Sequence, residues 1–159
     1  MLSANEFLYI IVIDCIVFLF YLFTHTLPHE IAHCVVAKKI NPSCSASVHI
    51  KWIKTEFEVK NIVFSPKYDD EKNVKGYSII KGMENCSLKE IRKIAMAGPI
   101  CNVLYGSVLF TLFSIWNFRI LWGIPFLLFF EVIRFFCSDT EWSDYEIIKN
   151  PEGYKKVSP

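Results

Sequence analysis

The stretch that decides the fold is residues 7–39, FLYIIVIDCIVFLFYLFTHTLPHEIAHCVVAKK, an apolar run that is interrupted by Asp14 and ends in Lys38 and Lys39. As one helix it would measure about 50 Å, which exceeds the roughly 30 Å hydrocarbon core of a bilayer. Pro28 disrupts a helix because its ring crowds the preceding turn and its nitrogen carries no proton. The stretch therefore predicts one membrane-spanning helix that is kinked near Pro28.

The composition agrees with a membrane protein. The chain has 159 residues, of which 53% are hydrophobic and 16% aromatic, and its formal net charge is +1. This length predicts a single domain over residues 1–159. Two more apolar runs, at 94–116 and 120–137, bring the predicted crossings to three. Nucleic acid is excluded as a partner, because phosphate binding needs a basic surplus that this chain lacks.

In the segment between the first two runs, at about 44–87, the spacing of the apolar residues changes. Residues 47–64 alternate polar and apolar side chains, as half-buried strands do. The apolar positions that follow this period are Val48, Ile50, Trp52, Phe57 and Val59. The segment therefore predicts a small β-sheet insertion outside the bilayer.

A capping box marks the next helix. Ser87-Leu88-Lys89-Glu90 has the pattern in which serine and glutamate satisfy each other's free backbone amides. A helix is therefore predicted from Leu88 into the second apolar run. The predicted fold class is mainly α, a multi-pass membrane protein with a three-helix transmembrane core and a small cytoplasmic sheet.

The basic residues set the orientation, since positive charge that flanks a span stays in the cytoplasm. Residues 38–93 carry twelve of the seventeen Lys and Arg residues, the turn at 117–119 carries one, and residues 1–6 carry none. The sheet and the C-terminal tail are therefore predicted to be cytoplasmic. A split first run would require a fourth crossing, and the sequence leaves that alternative open.

Two histidines lie near the end of the first run, in the segment His29-Glu30-Ile31-Ala32-His33. Residues four apart share one face of a helix, so both imidazoles can bind the same ion. This is the H-E-x-x-H arrangement, in which two neutral histidines hold Zn²⁺ and the glutamate accepts a proton from the attacking water. The alternative is a pair of hydrogen-bonded polar residues on a buried helix, but three ionisable groups are costly inside a membrane.

The other two histidines are predicted to be structural. His25 lies one turn before His29 and could extend the same stripe, but a lone additional histidine is more often a hydrogen-bonded structural group. His49 lies on a predicted strand.

A second motif, Gly98-Pro99-Ile100-Cys101-Asn102, opens the second apolar run. With H-E-x-x-H before it, the chain over roughly 17–148 resembles the site-2 protease family of zinc intramembrane metalloproteases, in a short form without a PDZ domain. The resemblance implies that an aspartate near the end of the third helix completes the site of one Zn²⁺ per chain. It also implies that Asn102 positions the substrate or stabilises the oxyanion, with an interhelical hydrogen bond as the alternative.

The third motif departs from the family pattern, because Glu131-Val132-Ile133-Arg134 stands where N-x-x-P is expected and L-D-G is missing. Two aspartates compete for the ligand position. Asp139 keeps the spacing from Glu131, whereas Asp144 resembles the ending of shorter members and is placed to cap a helical turn. Asp144 is favoured. Glu131 and Arg134, three apart on one helix, are predicted to neutralise each other.

The three-crossing topology brings these motifs to one side of the membrane. The first run ends, the second begins and the third ends at the cytoplasmic face. The chain is therefore predicted to be a zinc-dependent intramembrane endopeptidase, whose site faces the cytoplasm and whose substrate is a membrane-embedded or membrane-proximal polypeptide. The alternatives are a catalytically inactive scaffold or metal-binding relative and, less favoured, a zinc transporter. The sequence does not determine the oligomeric state.

Overall fold

A computed structural model describes residues 3–66, 76–115, 118–137 and 143–153. Most of these residues are helical and one small mixed sheet accompanies them, which confirms the mainly α class. In chain order the elements are α1 (Ala4–Thr24), α2 (Thr26–Ile40), β1 (Ser45–Ile50), β2 (Phe57–Val59), β3 (Ile62–Pro66), β4 (Gly76–Lys81), α3 (Leu88–Phe113), a 3₁₀ helix (Phe118–Trp122), α4 (Gly123–Phe136) and α5 (Asp144–Lys149).

The predicted helix over residues 7–39, kinked near Pro28, is divided at His25 into two helices. The break lies one turn before Pro28, because a proline cannot donate to the carbonyl four residues earlier and its ring crowds that carbonyl. Here that carbonyl belongs to Thr24, the last residue of α1. The path nevertheless stays helical, since the His25 amide donates to the Tyr21 carbonyl at 2.9 Å.

The predicted capping box is confirmed. Ser87 is the N-cap of α3, its side chain accepts from the Glu90 amide, and the Glu90 side chain accepts from the Ser87 amide. The helix begins at Leu88 as the motif predicts and continues as far as Phe113.

The insertion forms a four-stranded sheet in the order β2-β3-β1-β4. The strands β1 and β3 are parallel, whereas β4 pairs antiparallel with β1, and β2 pairs antiparallel with β3. A tight hairpin connects β2 to β3, and both of its turn residues, Lys60 and Asn61, have positive φ as such a turn requires. The predicted sheet is therefore present.

The predicted strand pattern is wrong at Trp52. Val48 and Ile50 are fully buried, but β1 ends at Ile50 and Trp52 lies in the following turn with 59% of its surface exposed. Phe57 and Val59 lie on β2, which is exposed along its length. The alternation failed there because β2 is a three-residue edge strand that is exposed on both faces, although the Phe57 ring stacks on that of Phe64 at 4.9 Å.

Two hydrophobic clusters hold the elements together. The first packs α2 and the start of α3 against the inner face of the sheet, with Cys34, Val48, Ile50, Ile91 and Ile94 among its members. The second joins α1, the far half of α3 and α4. Small residues permit close contact there, since a methyl group on Gly106 would lie 2.3 Å from a Leu127 methyl carbon.

Two helices in the described residues are long and apolar enough to cross a membrane, Ala4–Thr24 and Leu88–Phe113. The first of these candidate helices ends at Thr24, whereas the predicted first span extends to residue 39. In the third run, α4 has 14 residues, fewer than the roughly 20 that a straight helical crossing needs. Three crossings, and with them the multi-pass topology and its orientation, stay predictions.

Candidate metal centre

His29 and His33 lie on one face of α2, as their spacing predicts. Both are buried, and their Nε2 atoms are 3.2 Å apart with the two rings nearly perpendicular. Each ring therefore presents one nitrogen to the same point in space, from two successive turns of one helix.

Asp144 brings the third ligand from the far end of the chain. Its Oδ2 atom lies 3.1 Å from His29 Nε2, and its Oδ1 atom lies 3.2 Å from His33 Nε2. The candidate ligand atoms of the three residues lie within 4.8 Å of one another, so the group could hold a metal ion. Asp139, the competing aspartate, lies outside the described residues.

The cap of α5 is not the residue that the sequence predicts. Asp144 is the first helical residue, and Ser143 is the N-cap, whose hydroxyl accepts from the Glu146 amide at 3.3 Å. Because serine satisfies the free amide, the carboxylate of Asp144 can turn toward the histidines. Sequence analysis missed Ser143, although serine is among the best N-cap residues.

A hydrogen bond from α3 orients His33. Its Nδ1 atom lies 2.7 Å from the backbone carbonyl of Ile94, so Nδ1 carries the proton and Nε2 keeps its lone pair for a metal. His29 has no such partner within the described part of the chain, and its buried Nδ1 is unsatisfied. Sequence analysis could not have found the Ile94 contact, because a backbone carbonyl carries no residue-type signal.

Gly98 allows α3 to lie directly against the histidine pair. A methyl group at this position would lie 2.4 Å from His33 Nε2 and 2.5 Å from His29 Cε1, well inside van der Waals contact. Glycine permits close helix packing, and the surface that Gly98 contacts is formed by the ligand nitrogens themselves.

The separation of the two histidine nitrogens fits a small tetrahedral ion. Ligand bonds of 2.0–2.1 Å at tetrahedral angles place neighbouring ligand atoms about 3.3 Å apart, as in zinc sites with nitrogen and carboxylate ligands. The two Nε2 atoms are 3.2 Å apart, and the Asp144 carboxylate faces them with both oxygens, Oδ2 at 3.1 Å from His29 and Oδ1 at 3.2 Å from His33. Two imidazoles and one carboxylate are also a ligand set that zinc accepts while one position stays open.

The carboxyl group of Asp144 is in the deprotonated state that a metal ligand needs. Burial alone would raise the pKa of its carboxyl group, but the facing imidazoles of His29 and His33 outweigh that effect and hold the pKa far below its usual range. The carboxylate is therefore charged at neutral pH, as metal binding requires.

Glu30 is buried beside the ligands. Within the described residues its carboxylate makes no hydrogen bond or ion pair, so neither oxygen is committed to a structural partner. A free carboxylate next to a metal ligand is chemically able to accept a proton.

Asn102 lies deeper between the helices. It is fully buried on α3, and its Nδ2 atom donates to Glu131 Oε2 on α4 at 3.1 Å. This is the interhelical hydrogen bond that the sequence allowed as the alternative, while its catalytic role stays a prediction. The predicted pairing of Glu131 with Arg134 is confirmed at 2.8 Å.

The remaining histidines lie outside the ligand group. His25 is buried, with Nδ1 3.1 Å from the Tyr21 carbonyl and its ring stacked on the Tyr21 ring. On β1, His49 stacks on Tyr77 and contacts the Ser47 hydroxyl through Nε2. Both positions agree with the structural interpretation.

Comparison with protein-family models, with curated proteins and with solved structures finds no match to this chain.

Proposed function

We propose that the protein is a zinc-dependent endopeptidase that cleaves polypeptides in or beside a membrane. The observation that carries the proposal is the convergence of His29, His33 and Asp144, whose candidate ligand atoms lie within 4.8 Å of one another, with Glu30 buried next to them. The resemblance to site-2 proteases implies the same metal ligands, two histidines and one aspartate, and the same general base, a glutamate.

Each residue has a defined task in this proposal. His29, His33 and Asp144 hold Zn²⁺, which when bound activates water near neutral pH and polarises the scissile carbonyl. Glu30 accepts the proton of the attacking water and transfers it to the leaving nitrogen as the peptide bond breaks. The hydrogen bond from His33 to the Ile94 carbonyl keeps the ring in the tautomer that binds metal.

The membrane setting is supported by the outer surface of the helices. Large apolar side chains point outward on all three long apolar elements, which is unfavourable in water and favourable in lipid. The most exposed include Leu8, Leu19 and Phe23 on α1, Leu104, Val108 and Leu112 on α3, and Phe126, Phe129 and Phe136 on α4. The surface of α4 motivates the proposal that it crosses the membrane as a third span.

A substrate helix must unwind before cleavage, because its carbonyls are occupied by hydrogen bonds. The exposed edge strand β2 offers backbone groups with which an extended segment could pair. We include this pairing in the proposal as the way in which the sheet presents the substrate.

The test is a comparison of the wild-type chain with Glu30→Gln. Both proteins are produced in cells, and new fragment ends of membrane proteins are quantified by mass spectrometry, together with the zinc content of the purified chains. We expect fragments only with the wild type, because the glutamine side chain cannot accept the proton of the attacking water. We expect about one zinc per chain in both proteins, because residue 30 is not a metal ligand.

The matched control is Glu146→Gln, which changes an exposed carboxylate near the site to the same amide. It should leave the fragments unchanged. A Glu30→Gln chain that still produces fragments would refute the mechanism. Zinc in the wild type without any fragments would favour the alternative, a metal-binding relative without turnover.

A further inference from the structure

A cavity of about 220 Å³ lies where α1 meets α2 beside the sheet, lined by Phe23, Thr26, Lys51 and Trp52. Its lining is chiefly apolar. A lysine can contribute its apolar stem to such a wall while its ammonium group stays in water. Phe23 and Trp52 are 73% and 59% exposed, so these rings do not belong to either hydrophobic cluster.

The helical geometry connects this cavity to the metal centre. Thr26 and Glu30 are four residues apart on α2, hence on the same face and about 6 Å apart along the axis. Phe23 lies roughly one further turn away, and the helical path continues through the bond from the His29 amide to the His25 carbonyl. The cavity is therefore the continuation of the Glu30 face toward the end of α1.

The sheet forms the opposite wall. Lys51 and Trp52 directly follow β1, and a methyl group on Gly76, at the start of β4, would lie 3.1 Å from Thr26 Cγ2. The sheet therefore approaches α2 at the level of Thr26, and the cavity lies beside this contact.

We propose that this cavity is the specificity pocket of the peptidase and receives one bulky apolar side chain of the substrate, such as Phe or Leu, close to the cleaved bond. The inference rests on the proposed function and names its substrate class, an unwound segment with a large apolar residue at that position. The volume is smaller than the 300–1,000 Å³ typical of small-molecule sites, and it suits a single side chain.

The test uses peptide hydroxamates, which bind zinc directly and do not depend on turnover. Four dipeptide hydroxamates that differ in one side chain (Gly, Ala, Leu or Phe) are titrated into the zinc-loaded full chain in detergent. We expect the Leu and Phe compounds to bind about 10- to 100-fold more tightly than the Ala compound, as expected for burial of a large apolar side chain. The same titration after zinc is chelated corrects for partitioning into detergent.

Trp52→Ala and Phe23→Ala probe the pocket itself. Both residues are exposed, so the fold tolerates their truncation, and each variant should reduce the preference for Phe over Ala to about threefold or less. Binding of the Gly compound should not change. Phe126→Ala on α4 is the matched control, since it removes an aromatic ring of equal exposure, 59%, outside the cavity.

The outcomes separate the two proposals. Zinc-dependent binding of the Gly compound without side-chain preference, or a preference that both pocket variants retain, would overturn the pocket and leave the peptidase proposal standing. A loss of preference in Phe126→Ala as large as in Trp52→Ala would also overturn the pocket. A chain that binds no zinc, or whose zinc binds no hydroxamate, would overturn both.

Discussion

At the scale of single residues, the metal centre depends on a glycine, Gly98. Gly98 contributes no ligand, yet its lack of Cβ lets α3 approach the two ligand nitrogens. The same approach brings the Ile94 carbonyl within 2.7 Å of His33. Helix packing and ligand orientation are therefore set by the same contact.

Gly98→Ala should weaken zinc binding while the protein stays folded. The added methyl group would meet His33 Nε2 at 2.4 Å and displace the ligands. Alanine favours a helix interior over glycine by about 1 kcal/mol, so loss of helix stability cannot explain the effect. We expect zinc affinity to fall by more than about tenfold, measured as zinc per chain after dialysis against a metal buffer.

Gly106→Ala is the control for this prediction. It lies on the same helix, and its methyl group would meet Leu127 Cδ2 at 2.3 Å, far from the ligands. It should lower the thermal unfolding midpoint and leave zinc affinity unchanged. Full zinc occupancy in Gly98→Ala would show that the ligands can move aside.

Asp144→Asn should lose the metal. Removal of a partner that only orients a ligand costs about 10- to 100-fold in metal affinity, so loss of a direct anionic ligand should cost at least about 100-fold. Competition with a chromophoric zinc chelator measures this change. Retention of zinc by Asp144→Asn and its loss from Asp139→Asn would transfer the ligand assignment to Asp139.

At the scale of elements, α5 is too short to be stable alone. It has only six residues, and isolated helices below roughly 12–15 residues are marginal in water. Three contacts hold it in place. Ser143 caps it, and Ile147 packs against the hydrophobic cluster that lies between the sheet, α2 and the start of α3. Arg92 Nε on α3 donates to the Ile148 carbonyl at 3.0 Å. The third ligand is therefore presented by an element that tertiary contacts hold in place.

Ser143→Ala should weaken zinc binding about fivefold, because loss of an N-cap costs about 1 kcal/mol and α5 must be folded to present Asp144. Equilibrium zinc titration measures the change. Ser87→Ala is the control, because Ser87 caps α3 with the same 3.3 Å bond to a backbone amide but does not precede a ligand. Equal zinc affinities in the two variants would contradict the role given to the cap.

At the scale of the whole molecule, the metal centre joins distant parts of the chain. Two ligands lie on α2 and the third on α5, and α3 packs against both of these helices. An ion bound there cross-links the ends of the fold and favours the folded state over the unfolded one.

Removal of zinc should therefore lower the thermal unfolding midpoint. At free zinc one hundred times the dissociation constant, the gain is about 2.7 kcal/mol, or roughly 5–10 °C for a chain of this size. Differential scanning fluorimetry in detergent, with and without a chelator, measures the shift. The midpoint of Asp144→Asn should not respond to the chelator, and a shift as large as that of the wild type would assign the stabilisation to zinc bound elsewhere.

The proposed three crossings place Ser3 and Lys54 on opposite sides of the membrane. With the exposed Cys15 and Cys137 changed to serine, a cysteine at either position can be labelled with an impermeant maleimide on sealed vesicles. We expect Lys54→Cys to react from the cytoplasmic face and Ser3→Cys from the other. Reaction of both from one face would indicate an even number of crossings between them and refute this topology.

The features that depend on neighbours along the chain could be predicted from the sequence. The spacing of His29 and His33 required one helical face, the Ser87 box determined where α3 begins, and Pro28 caused the break at His25. These outcomes follow from local backbone geometry, which a few consecutive residues specify.

Only the tertiary structure decided the features that depend on distant contacts. Tertiary packing brings Asp144 to the two histidines and places Gly98 against their Nε2 atoms. It also leaves Trp52 exposed beyond the end of β1. A residue pattern records which side chains share a face of an element, but not which surface that face will meet. That choice depends on the packing of the whole chain, where the contacts join residues far apart in sequence.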